Sequence, residues 1–357
     1  MSGTIKVTTL QDGGSATPNL VFDTSGNATV GNNLTVTGTS TLTGNVSAAG
    51  TVAMGSSFKR NRIINGNMVV AQRGTSGFTS GYCTDRWFLN GANAASQSTD
   101  VPSGFKYSLN FTNSASTSCG VSQRIESVNT TDLASQNVTV SFWFKRSGAA
   151  GNLQVNLDYP TATDNYTSTG SIGATQVSAS PATSWTYYTV TFTSISANVV
   201  NGLQVSIFSN NGTSASLGGL VTGVQLEVGT KATPYEMQIY SDQLAQCQRY
   251  YVKYTNNSSP FVQFAIGRCY STTGGSANLY FPVPMRTQPT FGYTTPVSGN
   301  FDYSLSALNI SGYPSNGSNS NNNISIGATG SFTNGGAFAL AAANVSTLVY
   351  LDFSAEL

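Results

Sequence analysis

The sequence predicts an all-β protein with one short helix. Three observations carry that reading. Short runs of alternating apolar and polar residues recur from end to end, separated by Gly, Asn and Ser clusters. Asn-Gly pairs at 65–66, 90–91, 201–202 and 211–212 supply the chemistry of tight hairpin turns. Charge is scarce, at 8% of residues, while aromatics reach 11%. A chain so rich in rings and so poor in charge forms packed cores beneath an uncharged polar surface, unlike a disordered chain.

Residues 1–58 are the first expected element: an intertwined trimeric β stem. "TIKVTTL" alternates as a short strand, and "PNLVFDTSGNATVGNNLTV" reads as a hairpin. Beyond it, "GNNLTVTGTSTLTGNVSAAGTV" holds only five large aliphatics in residues 31–52: Leu34, Val36, Leu42, Val46 and Val52. Ordering one residue costs roughly 1–2 kcal/mol, and burying one such side chain returns roughly 1.5–3 kcal/mol. One chain with so few apolar groups cannot offset that cost. Three chains wound together give those five residues a shared interior and pair their strand edges. A dimer or a disordered linker are the alternatives.

Charge and apolar density return at "SSFKRNRIINGNMVVAQRG", and residues 59–240 follow as a series of short strands. Strands with such turns and no helical periodicity predict a β-sandwich of jelly-roll type. "SDQLAQCQRYY", 241–251, is the helical fragment, with Ser241 as its cap and Leu244 and Cys247 on one face. It links to a second all-β region, so that 241–357 is read as a linking helix and a sandwich-like C-terminal domain. The Asn/Ser-rich tract around Asn316–Asn323 reads as a solvated loop.

Several function classes fall away. A net charge of +1, without a run of Lys or Arg, does not suit nucleic acid or electrostatic membrane docking. No apolar run approaches the roughly 20 residues of a membrane span, so no membrane insertion is expected. The N-terminal residues lack a signal-peptide core, and no secretory route is expected. With no His in the chain, His-based triads, general bases and His-ligated metals are excluded together. Cys83, Cys119, Cys247 and Cys269 match no zinc spacing. Cys247 and Cys269 flank a turn near Ser258 symmetrically and would face each other across a hairpin, although reduced, buried thiols are the expectation without secretion. No cofactor is indicated. A structural calcium at Asp158 and Asp164 stays open.

Alternation locates candidate ligand contacts. In "NVTVSFWFKRS", Val138, Val140, Phe142 and Phe144 face the core, and Ser141, Trp143 and Lys145 face away. In "NLQVNLDY", Leu153, Val155 and Leu157 face inward, and Gln154, Asn156 and Asp158 outward. In "TGVQLEVG", Gln225 and Glu227 face outward. If these strands share a sheet, its outer face carries an indole, amides and carboxylates. Such a surface suits a sugar, whose apolar face lies on a ring and whose hydroxyls pair with amides. Trp143, Gln154, Asn156, Asp158, Gln225 and Trp185 are therefore the expected glycan contacts. The competing reading has a loop or a neighbouring chain covering Trp143. Catalysis would need two carboxylates at fixed separation. Asp158 with Glu227, or Asp85 with Glu126, are formal pairs that nothing in the spacing selects, and a non-enzyme is expected.

"NRIINGNMVVAQRG", "DRWF", "VSQRIES", "VTVSFWFKRSG", "WTYYTVTF", "GVQLEVGTKATPYE" and "LAQCQRYY" follow one another in this order. Together they resemble the receptor-binding tail-fibre proteins of bacteriophages that carry a carbohydrate-binding-module-like jelly roll. The resemblance covers about residues 60–255, and "YFPVPMRTQPT" continues it. The repeats of the front are similar to the trimeric stems of such fibres. The resemblance implies a homotrimer on the virion, made in the host cytoplasm. Its N-terminus would join phage tail proteins, and its β domains would bind a host cell-surface polysaccharide. It also implies that "QLEVGTKATPYE" closes the jelly roll, with Pro234, Tyr235 and Glu236 packing there. A polysaccharide-degrading tailspike and a purely structural virion fibre are the alternative functions.

Overall fold

The computed structural model describes residues 9–10, 20–22, 24–25, 27–30, 59–92, 94–294, 301–303, 306–307, 309–310 and 320–357. The chain forms two compact units, Met1–Gly55 and Ser56–Leu357. In the first, β1 (Thr9–Leu10), β2 (Leu20–Phe22) and β3 (Ala28–Val30) make an antiparallel sheet in that order. The expected hairpin is β2–β3, with Leu20 opposite Val30 and Phe22 opposite Ala28. Leu34, Val36, Leu42, Val46 and Val52 lie outside the described residues.

The second unit opens with β4 (Phe88–Asn90), β5 (Ala94–Ser98), β6 (Ser108–Ile125), β7 (Val138–Arg146), β8 (Asn152–Ala162), β9 (Asn165–Ser178), β10 (Thr186–Phe192) and β11 (Leu203–Val228). The two long strands, β6 and β11, run antiparallel along each other with register shifts between Asn210 and Leu217. These shifts separate two layers. Before them, Leu203–Asn210 of β11 pairs with β8, β8 with β9, and the facing part of β6 with β4. After them, β11 pairs with β7, β7 with β10, and the start of β6 with β5. Gly219 leaves room for the Phe144 ring, which a Cβ there would run into.

One apolar core fills the sandwich. Val138, Val140, Phe142 and Phe144 of β7, Leu153, Val155 and Leu157 of β8, and Val205, Ile207, Val224 and Leu226 of β11 all belong to it. The alternation expected of β7 and β8 is therefore observed. The three strands do belong to one hydrogen-bonded sheet of eight strands, but β7 pairs with the second half of β11 and β8 with the first, so the two lie in different layers. A sandwich has two outward faces, and strand alternation alone does not choose between them.

Helix α1 spans Tyr240–Gln248 and starts one residue before the expected cap: Ile239 is the N-cap, without a side-chain hydrogen bond, and Ser241 sits inside the first turn. Then come β12 (Tyr251–Thr255), β13 (Gln263–Cys269), β14 (Gly274–Tyr280), β15 (Thr290–Tyr293), β16 (Phe301–Tyr303), β17 (Ser306–Ala307), β18 (Asn309–Ile310), β19 (Asn323–Thr329), β20 (Ala337–Ala342) and β21 (Tyr350–Ser354). They form a three-stranded sheet, β12-β21-β15, and a seven-stranded sheet, β17-β16-β20-β13-β14-β19-β18. Phe353, Leu351 and Val252 of the first meet Leu340, Phe338, Ile326 and Leu279 of the second in a separate core. Because β12 pairs with β21 and not with β13, Cys247 in α1 and Cys269 at the end of β13 do not face each other across a hairpin. All four cysteines are buried free thiols. Of the expected polar loop, 316–319 lies outside the described residues, and the Ser320 hydroxyl bonds Asn323 Oδ1 at 2.7 Å. No helix among the described residues is long and apolar enough to cross a membrane.

Candidate functional site

The structure divides the six expected contacts among three environments. Gln154, Asn156 and Asp158 form the first. They alternate with the buried Leu153, Val155 and Leu157 and so face away from the core, half-buried. Across the ladder, Gln154 stands opposite Phe208, Asn156 opposite Ser206 and Asp158 opposite Gln204. The next strand places Gly120, Ser122 and Arg124 beside those three. Directly opposed residues share a face, so β8, β11 and β6 build one polar surface. At its Gln154 end lies an open depression of about 140 Å³ lined by Ser118, Gln154, Asn156, Phe208 and Asn210.

Gln154 Nε2 donates to Asn156 Oδ1 at 2.8 Å and locks the two amides together. This leaves Gln154 Oε1 to accept and Asn156 Nδ2 to donate. Asn210 Oδ1 accepts the Gly212 N–H at 2.9 Å, which frees its Nδ2 in the same way. The Phe208 ring lies over Gly120, where a Cβ would sit 2.6 Å from it. Deeper in the face, Arg124 Nε donates to Gln204 Oε1 at 3.1 Å, and Gln204 Nε2 to Ser206 Oγ at 3.3 Å. Burial lifts the Asp158 carboxyl above its ordinary value. The depression therefore combines an apolar ring with paired donors and acceptors, the complement of a pyranose.

Trp143 and Trp185 form the second environment, on the outward face of the other layer. Trp143 of β7 stands opposite Tyr187 of β10, with ring centroids 5.4 Å apart. Trp185 Nε1 donates to Asp100 Oδ1 at 2.9 Å, and Lys145 Nζ to Asp100 Oδ2 at 2.6 Å.

Gln225 is the third case and a correction: it is fully buried. The segment 231–236 lies over it. Gln225 Nε2 donates to Glu227 Oε1 at 2.9 Å, and its Oε1 accepts the Glu236 N–H at 2.9 Å. Glu236 in turn accepts the backbone N–H groups of Lys59 and Asn61. Pro234, Tyr235 and Glu236 thus close this side of the sandwich, and Gln225 has no surface to offer a ligand.

The formal carboxylate pairs are engaged elsewhere. Glu227 is buried and bonded to Thr233. Asp85 is buried and accepts from Gln72 N and Nε2, both at 2.6 Å. Glu126 is buried against Arg249. Asp164 accepts the Ser127 N–H at 2.7 Å. Among the described residues, no group of three or more His, Cys, Asp and Glu side chains is placed to hold a metal. A larger cavity of about 440 Å³ lies beside α1, where Glu126 pairs with Arg249 and Arg62 pairs with Asp132 outside the lining.

Sequence reasoning missed Phe208, Asn210, Ser118 and Asp100. Phe208 carried a usable signal: in "LQVSIF", Val205 and Ile207 point inward, which sends Gln204, Ser206 and Phe208 out.

No family model and no curated protein sequence matches the chain. Several solved structures do. A protein of Bacteroides thetaiotaomicron assigned provisionally to sugar binding is 15% identical, with a TM-score of 0.34 over 47% of this chain and 100% of that one. The CBM22-1 xylan-binding domain of Paenibacillus barcinonensis Xyn10C is 17% identical, with a TM-score of 0.30 over 44% of this chain and 94% of that one. The enzymatically active domain of bacteriophage CBA120 tailspike protein 4 is 14% identical, with a TM-score of 0.32 over 48% of this chain and 22% of that one. At identities of 14–17% and TM-scores of 0.30–0.34, these likenesses assign the chain no role.

Proposed function

We propose that this chain is a bacteriophage tail fibre that attaches the virion to a host-surface polysaccharide by non-covalent, multivalent binding, with the sugar seated on Gln154, Asn156 and Phe208. The observation that carries the reading is the locked amide pair beside an outward phenyl ring. Asp158 is half-buried on the same face, and the depression itself is lined by no carboxylate, so binding without hydrolysis is the chemistry proposed. The homotrimer rests on the sparse aliphatics of residues 31–52. Attachment to phage tail proteins through the N-terminus, and a place on the virion, rest on the sequence resemblance. A single weak site gains roughly a hundredfold or more from linkage to two others when the spacing allows.

Two measurements test this. The full chain is applied to an array of bacterial surface polysaccharides, alongside Gln154→Ala and Asn156→Ala. The expected outcome is binding that weakens in both variants, changes little with salt and releases no new reducing ends. Binding by both variants as strong as that of the unaltered chain overturns the site. Sedimentation gives the mass of the full chain, and a compact single subunit at micromolar concentration overturns the trimer.

A further inference from the structure

We infer that each subunit carries a second sugar-binding platform, built on Trp143, Tyr187 and Trp185, on the layer opposite the amide depression. It goes beyond the function proposed above, since it uses another face and other residues.

The first observation is where these rings are not. The chain has three tryptophans. Trp87 is fully buried, and its Nε1 bonds the Asn65 carbonyl at 3.0 Å. Trp143, Trp185 and Tyr187 belong neither to the sandwich core nor to the partly buried apolar residues packed against it. Large rings are the strongest contributors to a core, and here three of them stand outside it on one sheet face.

The second observation is that their positions are set. Ladder register places Tyr187 beside Trp143, inclined at 50°. Thr186 stands opposite Phe144, so the preceding Trp185 falls beside Lys145 on the same outward face. Asp100 then holds both: one carboxylate oxygen takes the Trp185 indole N–H and the other takes the Lys145 ammonium. An exposed ion pair of this kind adds little to stability. Its effect is to aim an indole that the core does not hold. On the far side of Trp143, Gly223 has φ +63°, and a Cβ there would lie 2.6 Å from the Phe105 ring and 3.2 Å from Trp143.

The chemistry selects a ligand class. Half-exposed rings receive the C–H face of a pyranose. Asp100 and Lys145 neutralise each other beside them, so the platform offers hydrogen bonds without net charge. That suits a neutral oligosaccharide better than a uronic-acid polymer. With the depression on the other layer, one subunit would hold two sugar segments, and the second would bind at the effective concentration set by the first.

Tryptophan emission separates the two sites. Platform binding perturbs Trp143 and Trp185, whereas the depression is lined by no tryptophan. The probes are neutral hexasaccharides of glucose, galactose, mannose and xylose, titrated into the full chain. The expected result is a saturable emission change with at least one of them. The change should persist in Asn156→Ala and weaken about tenfold in both Tyr187→Ala and Asp100→Ala, as loss of a stacking ring or its positioning group implies. These variants retain all three tryptophans, and an unchanged melting temperature checks their fold. No emission change with any probe overturns the platform, as does a response that Asn156→Ala abolishes. Array binding that depends on Asn156, without any emission change, sustains the depression and removes the platform.

Discussion

Glu356 and Arg86 form a buried ion pair that joins the two cores of the second unit. The Arg86 side chain is 1% exposed and that of Glu356 is 5% exposed. The Arg86 guanidinium also lies 3.4 Å from the Tyr250 ring centroid, and Glu356 accepts Arg73 at 3.1 Å. Arg124 and the Tyr82 hydroxyl both bond the Leu357 backbone oxygen, so residues 356–357 are clamped against the sandwich. Glu356→Gln leaves a guanidinium buried without its counter-charge. That change should cost about 3–5 kcal/mol in guanidinium-chloride unfolding. Asp132→Asn, at the exposed end of the Arg62 pair, should cost no more than about 1 kcal/mol. Equal effects would remove the distinction between the two pairs.

The cysteines should be silent in the native state. Burial pushes the Cys83 and Cys119 thiols up to about 12 and raises Cys247 well above its usual value. Cys269 is 4% exposed. Only the thiolate reacts with a disulfide reagent. Ellman's reagent at pH 8 should therefore release no fast colour from the folded chain, and four equivalents once guanidinium chloride unfolds it. A fast equivalent in the folded state would place one thiol at the surface.

What the sequence made legible was local. The β2–β3 hairpin, the inward faces of β7 and β8, and the outward Trp143, Gln154 and Asn156 all follow from a period of two. What it did not carry was long-range. Gln225 alternates outward as well as Gln154 does, yet residues 231–236 cover one and not the other. Trp143 and Gln154 read as neighbours on one face, but the register shifts in β11 put them on different layers. Asp100 is remote in sequence from both Lys145 and Trp185, so no window of the chain joins them.

The Asp100 clamp sets a pH dependence. Hydrogen bonds from Lys145 and Trp185 hold the Asp100 carboxyl below its ordinary 3.8. The folded state therefore binds this proton less readily than the unfolded chain, and the clamp contributes fully above that ordinary, unfolded value. It is lost as pH falls through the lower, folded value. Tryptophan emission should stay level from neutral pH down to about 5 and shift only below about 4, while Asp100→Asn removes that shift. A transition near neutral pH would assign the change to another group.

Gly120 and Phe208 set the shape of the depression. A Cβ at Gly120 would meet the Ile207 carbonyl, a member of the β11 ladder, and lie 2.6 Å from the Phe208 ring. The ring can swing away, but the carbonyl cannot move without parting β6 from β11. Gly120→Ala should therefore cost about 1–3 kcal/mol, the usual penalty of overpacking. Phe208→Ala should leave the melting temperature nearly unchanged, because Phe208 is half-exposed and outside the core, while weakening array binding about tenfold through the lost ring. In the double variant the carbonyl clash persists, so Phe208→Ala should rescue little of the stability lost in Gly120→Ala. Full rescue in thermal unfolding would show that the ring alone needs the glycine, and the backbone contact would then carry none of the cost.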